Sequence, residues 1–101
     1  MSEEKKLLYI SGPITGTDDY MERFADIERA FNATDKYMVI NPAKVNAQLP
    51  ELSHKQYMIM SFAMLDIADC VFFMDGWELS KGCNQEYGYA KAKGIEVLNN
   101  G

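Results

Sequence analysis

Histidine and tryptophan occur once each and cysteine twice in 101 residues, and ten basic residues face fifteen acidic ones. The scarcity of ligating side chains is informative. Cys70 lies in an apolar run and Cys83 at a helix start, with neither metal-like spacing nor partner histidines, so both read as free thiols and no metal or cofactor is expected. Cys83 has a second reading as a nucleophile activated by a helix dipole, but no second base accompanies it. A formal charge of −5 argues against wrapping a nucleic-acid polymer, which needs a surplus of Lys and Arg on one face. One phosphate remains accessible, because a few backbone amides bind it whatever the overall charge. No apolar run approaches membrane-spanning length and the N-terminus carries no signal-peptide pattern, so a cytoplasmic protein without membrane contact is expected. Internal repeats and low-complexity segments are also lacking, and the length suits a single domain over 1–101.

What is present alternates between strand and helix patterns. Leu7-Leu8-Tyr9-Ile10 reads as a buried strand that stops at Ser11-Gly12-Pro13. The loop Gly12–Asp19 offers glycines and hydroxyls for close approach to a ligand, with Asp18 or Asp19 as the cap of the next helix. It lacks the Gly-Lys-Ser/Thr ending of a P-loop. Tyr20, Phe24, Ile27 and Phe31 share one face of a helix reaching about Ala33. Tyr37–Ile40 reads as a second strand ended by Asn41-Pro42, with a loop to Pro50. Ser53-His54-Lys55-Gln56 has capping-box form and starts a helix to about Ala68, with His54 expected on its surface. That helix is apolar nearly all round, so one face should pack on the sheet and the other should find a second copy. A homo-oligomer through helix 54–68 is the expectation, with its methionines as adaptable packing residues. Cys70–Met74 is a fully apolar central strand, and Gly94 ends a last helix before the strand Ile95–Leu98.

Such alternation predicts a small three-layer α/β/α fold with a parallel four-stranded sheet in the order 2-1-3-4. Ligands then bind beyond the carboxyl ends of strands one and three, where Ser11-Gly12 and Ser80-Lys81-Gly82 meet. Ser80-Lys81-Gly82 opens a helix and presents free N–H groups at its positive end, which suits an anion. Glu86 follows one turn further in.

Tyr9-Ile-Ser-Gly-Pro-Ile-Thr-Gly16, Asn41-Pro42, Ala68-Asp69, Gly76-Trp77, Ser80-Lys-Gly82 and Glu86 together resemble the small DUF4406 proteins of the nucleoside 2-deoxyribosyltransferase-like superfamily. The resemblance implies a flavodoxin-like core, usually oligomeric, that cleaves or exchanges the N-glycosidic bond of a deoxynucleoside or its 5′-monophosphate. It also implies Glu86 as nucleophile and Tyr9 as the residue that positions it. Transferases acting on free nucleosides carry an aspartate six residues before the nucleophile, where the monophosphate hydrolases carry serine, a spacer and glycine. Ser80-Lys81-Gly82 follows the second pattern, so a deoxynucleotide is favoured over a nucleoside, with Ser11 and Gly12 beside its phosphate or sugar.

One position departs from that pattern. Relatives carry an aspartate eight residues before Asp69, where this chain has Ser61, and Asp66 faces elsewhere because five helical residues turn a side chain by about 140°. Asp75 is either a replacement acid from the loop or a turn residue. Trp77 either stacks on the base and covers the cleft or anchors its loop. The loss of the acid also admits a catalytically silent nucleotide-binding or regulatory module.

Overall fold

A computed structural model describes residues 4–14 and 18–99. Strand β1 (Lys6–Ser11) is followed by α1 (Tyr20–Asn32), β2 (Tyr37–Ile40), α2 (Pro42–Ala47), α3 (His54–Ile67), β3 (Cys70–Phe73), a 3-10 turn (Trp77–Leu79), α4 (Lys81–Lys93) and β4 (Glu96–Val97). The four strands form one parallel sheet in the order β2-β1-β3-β4, the flavodoxin-like arrangement expected. Thr15, Gly16 and Thr17 of the first loop lie outside the described residues.

Strand alternation divides the core into two layers. Leu8, Ile10, Cys70 and Met74 pack with Phe24 of α1 on one face of the sheet. Tyr9, Val71 and Phe73 pack with Leu65 of α3 and with Cys83 and Ala90 of α4 on the other. Because side chains of a strand alternate, Ser11 falls on the same face as Tyr9. That parity places two hydroxyls from one strand under α4.

The helix termini are set by side-chain caps. At the start of α3 the capping box is complete: Gln56 N–H donates to Ser53 Oγ (3.1 Å) and Ser53 N–H to Gln56 Oε1 (2.9 Å). Asp19 precedes α1 without a side-chain cap bond, and its carboxylate pairs with Arg23 at 3.5 Å instead. The expected loop between Asn41 and Pro50 is corrected, because α2 forms inside it. Asn41-Pro42 ends a strand, but it is also an N-cap followed by proline at N1, a helix-start signature. Asn41 Oδ1 accepts from Ala43 N–H (3.0 Å) and Lys44 N–H (3.3 Å). Its Nδ2 donates to Glu28 Oε1 at 3.0 Å, fastening α2 to α1. Gly94, at φ 74°, closes α4 in the left-handed conformation that glycine adopts without strain.

The last strand is shorter than Ile95–Leu98, yet its pairing continues by other means. Leu98 N–H donates to Val71 O (2.9 Å), and the Asn99 carboxamide then takes both backbone groups of Phe73, at 3.0 and 2.7 Å. On α3, Met58, Ser61 and Leu65 are buried, while Ile59 and Ile67 stay 58% and 64% exposed.

Asn41→Ala removes two cap bonds and the tie to Glu28. A loss of about 1–2 kcal/mol in urea-denaturation stability is expected, and an unchanged midpoint would show that α2 is held without its cap.

Candidate functional site

A cavity of about 300 Å³ opens at the carboxyl end of β1, within the usual range of small-molecule sites. Gly12 and Ile14 form its edge on the first loop, and Tyr20 adds the start of α1. Ala43, Asn46 and Ala47 of α2 form one wall; His54, Tyr57, Met58 and Ser61 of α3 form another. Ser80, Gly82, Cys83 and Glu86 complete it from α4 and the turn before it. This is the site that a parallel sheet creates where neighbouring strands send their connections to opposite faces.

Glu86 is the single carboxylate among the described residues lining the cavity, and only 6% of it is exposed. Tyr9 O–H donates to its Oε2 at 2.8 Å and Ser11 O–H to its Oε1 at 2.5 Å. Both donors therefore come from the β1 face that parity assigned to α4. Burial pushes the Glu86 carboxyl above its ordinary pKa, while the hydroxyls of Ser11, Tyr9 and Ser61 pull it partly back. Tyr9 is driven well above the usual phenol range by its own burial and by the Glu86 charge, so it remains a donor. Such a carboxylate is fixed in position, ionisable and short of water, three properties of a nucleophile.

The turn into α4 supplies the complementary polarity. Ser80 Oγ accepts from Cys83 N–H (3.2 Å), and the first intrahelical bond runs from Asn84 N–H to Ser80 O (3.0 Å). The N–H groups of Lys81 and Gly82 precede that bond and carry the positive end of the helix. On the first loop, Gly12 allows the chain to approach the core: an added Cβ would meet Met74 Sδ at 2.5 Å.

The structure brings Tyr9, Ser11, Gly12, Ser80, Gly82 and Glu86 together and separates three other expected site residues from them. Trp77 is buried, stacked on Tyr87 at 4.8 Å between centroids and tilted against Phe73, so it anchors the loop and does not reach the cavity. Asp75 is exposed beside Arg23 in a second groove on the α1 face, because Gly76 at φ 87° reverses the chain immediately after it. Lys81 is exposed and does not line the cavity, although it belongs to the turn. Asp66 accepts from Tyr89 O–H at 2.6 Å, outside the cavity. Burial also raises the Cys83 thiol, which removes the basis of an activated thiolate.

Three polar or aromatic lining side chains escaped the sequence reading, Tyr20, Asn46 and Tyr57; His54 is exposed, as expected, and also lines the cavity. His54 Nε2 lies 3.2 Å from Gln85 Oε1, and its Cε1 would lie 3.9 Å from a Cβ on Gly82. The imidazole thus stands over the anion turn. A one-residue extension of helix-start logic to Asn41-Pro42 would have placed α2 and its asparagine nearby.

The Glu86 shift has a stability consequence. Its pKa is higher in the folded than in the unfolded chain, so its favourable contribution is full below the unfolded carboxylate range and is lost as pH rises through the folded value. Glu86→Gln is therefore expected to melt above wild type at neutral pH, with the gap closing toward pH 4. A gap independent of pH would contradict the buried, ionised carboxylate.

No curated protein matches the chain. Residues 6–99 match the sequence model of the family described as a domain of unknown function, DUF4406, and the chain belongs to that family.

Proposed function

We propose that this protein cleaves the N-glycosidic bond of a 2′-deoxynucleoside 5′-monophosphate, or transfers its deoxyribosyl group, as enzymes of the nucleoside 2-deoxyribosyltransferase-like superfamily do. The observation that carries the reading is a buried Glu86, held by Tyr9 and Ser11, one helical turn beyond a set of uncommitted N–H groups in the same cavity. Four helical residues separate Gly82 from Glu86, a rise of about 6 Å. That suits a 5′-phosphate on the turn and the sugar C1′ over the carboxylate.

In the reaction, one Glu86 oxygen attacks C1′ as the bond to the base breaks, giving a glycosyl ester. The base carries away the bonding pair and takes a proton from solvent. Water then attacks C1′, loses a proton and frees Glu86; a second base does the same in transfer. Tyr9 and Ser11 hold the carboxylate in both steps. Ser80 O–H, with the Lys81 and Gly82 N–H groups, holds the phosphate beside His54.

Ser61 favours a second reading. It lines the cavity where relatives carry an acid, and the absence of that acid costs roughly 10²- to 10⁴-fold in leaving-group departure. A nucleotide-binding or regulatory module without turnover fits the same walls. Incubation with a panel of deoxynucleoside monophosphates separates the two. The enzyme reading expects slow release of free base that disappears in Glu86→Ala and falls on acidification at a pH above the ordinary carboxylate range. Thermal stabilisation by deoxynucleotides without base release, together with release gained on Ser61→Asp, would favour the silent module.

We also propose that two copies meet through α3, whose Ile59 and Ile67 remain outside the core. Wild type should sediment as an oligomer and an Ile59→Lys, Ile67→Lys variant as a folded monomer. A monomeric wild type at micromolar concentration rejects the interface.

A further inference from the structure

The cavity holds a carboxylate able to attack a sugar carbon, but no second acid to meet a departing base. Among the described residues that line it, Glu86 is the single carboxylate, and the proposed reaction commits it to C1′. The other ionisable groups there are His54, Cys83, Tyr20 and Tyr57. Burial raises the Cys83 thiol and so weakens it as an acid. Phenols are weak acids beside carboxylic ones, and the Tyr57 oxygen already accepts from Leu52 N–H at 3.2 Å. His54 stands over the anion turn, 3.2 Å from Gln85 and seven helical residues before Ser61, a rise of about 10 Å. Ser61 itself, whose hydroxyl helps to hold Glu86, is an alcohol and far too weak an acid for the task.

The charge of the cavity points the same way. No Lys or Arg side chain is among the described lining residues, and the donors on Glu86 are neutral hydroxyls. Tyr20 and Tyr57 line the same space, and aromatic faces attract cations. A ring that carries positive charge is therefore favoured near Glu86, and the same charge removes the need for an acid. A quaternised base leaves as a neutral molecule.

We propose that the substrate is a 2′-deoxynucleoside 5′-monophosphate whose base is already cationic, an N7-alkylated purine nucleotide. This rests on the cavity being a deoxynucleotide N-glycosidase site, and it names the class of base. One Glu86 oxygen forms a bond to C1′ as the C1′–N9 bond breaks. The bonding pair returns to the imidazolium ring and cancels its charge, so the alkylated base departs without taking a proton. Water then attacks C1′, the ester pair returns to Glu86, and one proton passes to solvent.

The test measures base release from 7-methyl-2′-deoxyguanosine 5′-monophosphate and from ordinary deoxynucleoside monophosphates, 2′-deoxyguanosine 5′-monophosphate included. Each kcat is divided by the spontaneous rate of the same nucleotide, which removes the intrinsic lability of the methylated one. Wild type should accelerate the methylated nucleotide by a factor roughly 10²-fold larger than its unmethylated parent, the lower range of a general acid's contribution. Glu86→Ala should release neither base above the spontaneous rate. Ser61→Asp, which adds an acid, should narrow the difference by roughly tenfold or more. An equal or larger acceleration of the unmethylated nucleotide in wild type overturns the proposal, as does a difference unchanged in a folded Ser61→Asp. Release from ordinary nucleotides without acceleration of the methylated one also overturns it and keeps the glycosidase reading. Release from none of them removes both.

Discussion

The contact on which the site depends is the pair of hydroxyls, Tyr9 and Ser11, donated from one strand to one carboxylate on the helix above it. Two residues apart on β1, they point to the same face and cannot do otherwise while the strand keeps its pleat. The parallel register of β1 with β3 fixes where that pair stands relative to the turn that starts α4. Chemistry and topology are thereby coupled: a slip of one residue in β1 would turn both hydroxyls into the Phe24 layer. The Glu86 charge is tolerated in the core because those donors partly replace the water it has lost.

Much of the frame was legible because its signals are local. The apolar runs at 7–10 and 70–74, the capping box at Ser53 and the glycine at 94 each carry their physical cause within a few residues. Glu86, Tyr9 and Ser80-Gly82 were legible through a pattern spread along the chain that resembles a known architecture. The misplaced residues failed for identifiable reasons. Asn41-Pro42 carries two meanings, a strand stop and a helix start, and only the choice of the first hid α2. Of the two readings of Trp77 the loop anchor holds, and nothing local could choose it, because its ring face is taken by Tyr87 ten residues on. Asp75 left the site through one left-handed glycine. His54 and Asn46 reach the cavity from elements far apart in sequence, a juxtaposition that no local pattern encodes.

The cavity has a division of labour that follows from strand order. The β3 side carries the positive helix end, the centre carries the buried carboxylate, and the β2 side carries polar and aromatic groups on α2, α1 and α3. The proposed deoxynucleotide, with an anionic end, a central electrophilic carbon and a planar head, would meet these in sequence. Stability is given up at two points along it: a buried charge at Glu86 and an amide oxygen at Asn46 without a partner among the described residues. Sites that bind before they react commonly hold such groups in readiness, at some expense to the empty fold.

Asn99 shows how a short sheet is finished. With β4 limited to two residues, Phe73 would offer one N–H and one C=O along a bare margin, the template on which foreign strands add themselves. A single carboxamide, carrying one donor and one acceptor at the spacing of a peptide group, occupies both. The sheet is thus terminated by a side chain acting as one more residue of strand, and the margin beside the 3-10 turn is closed to intruding chains without lengthening the protein.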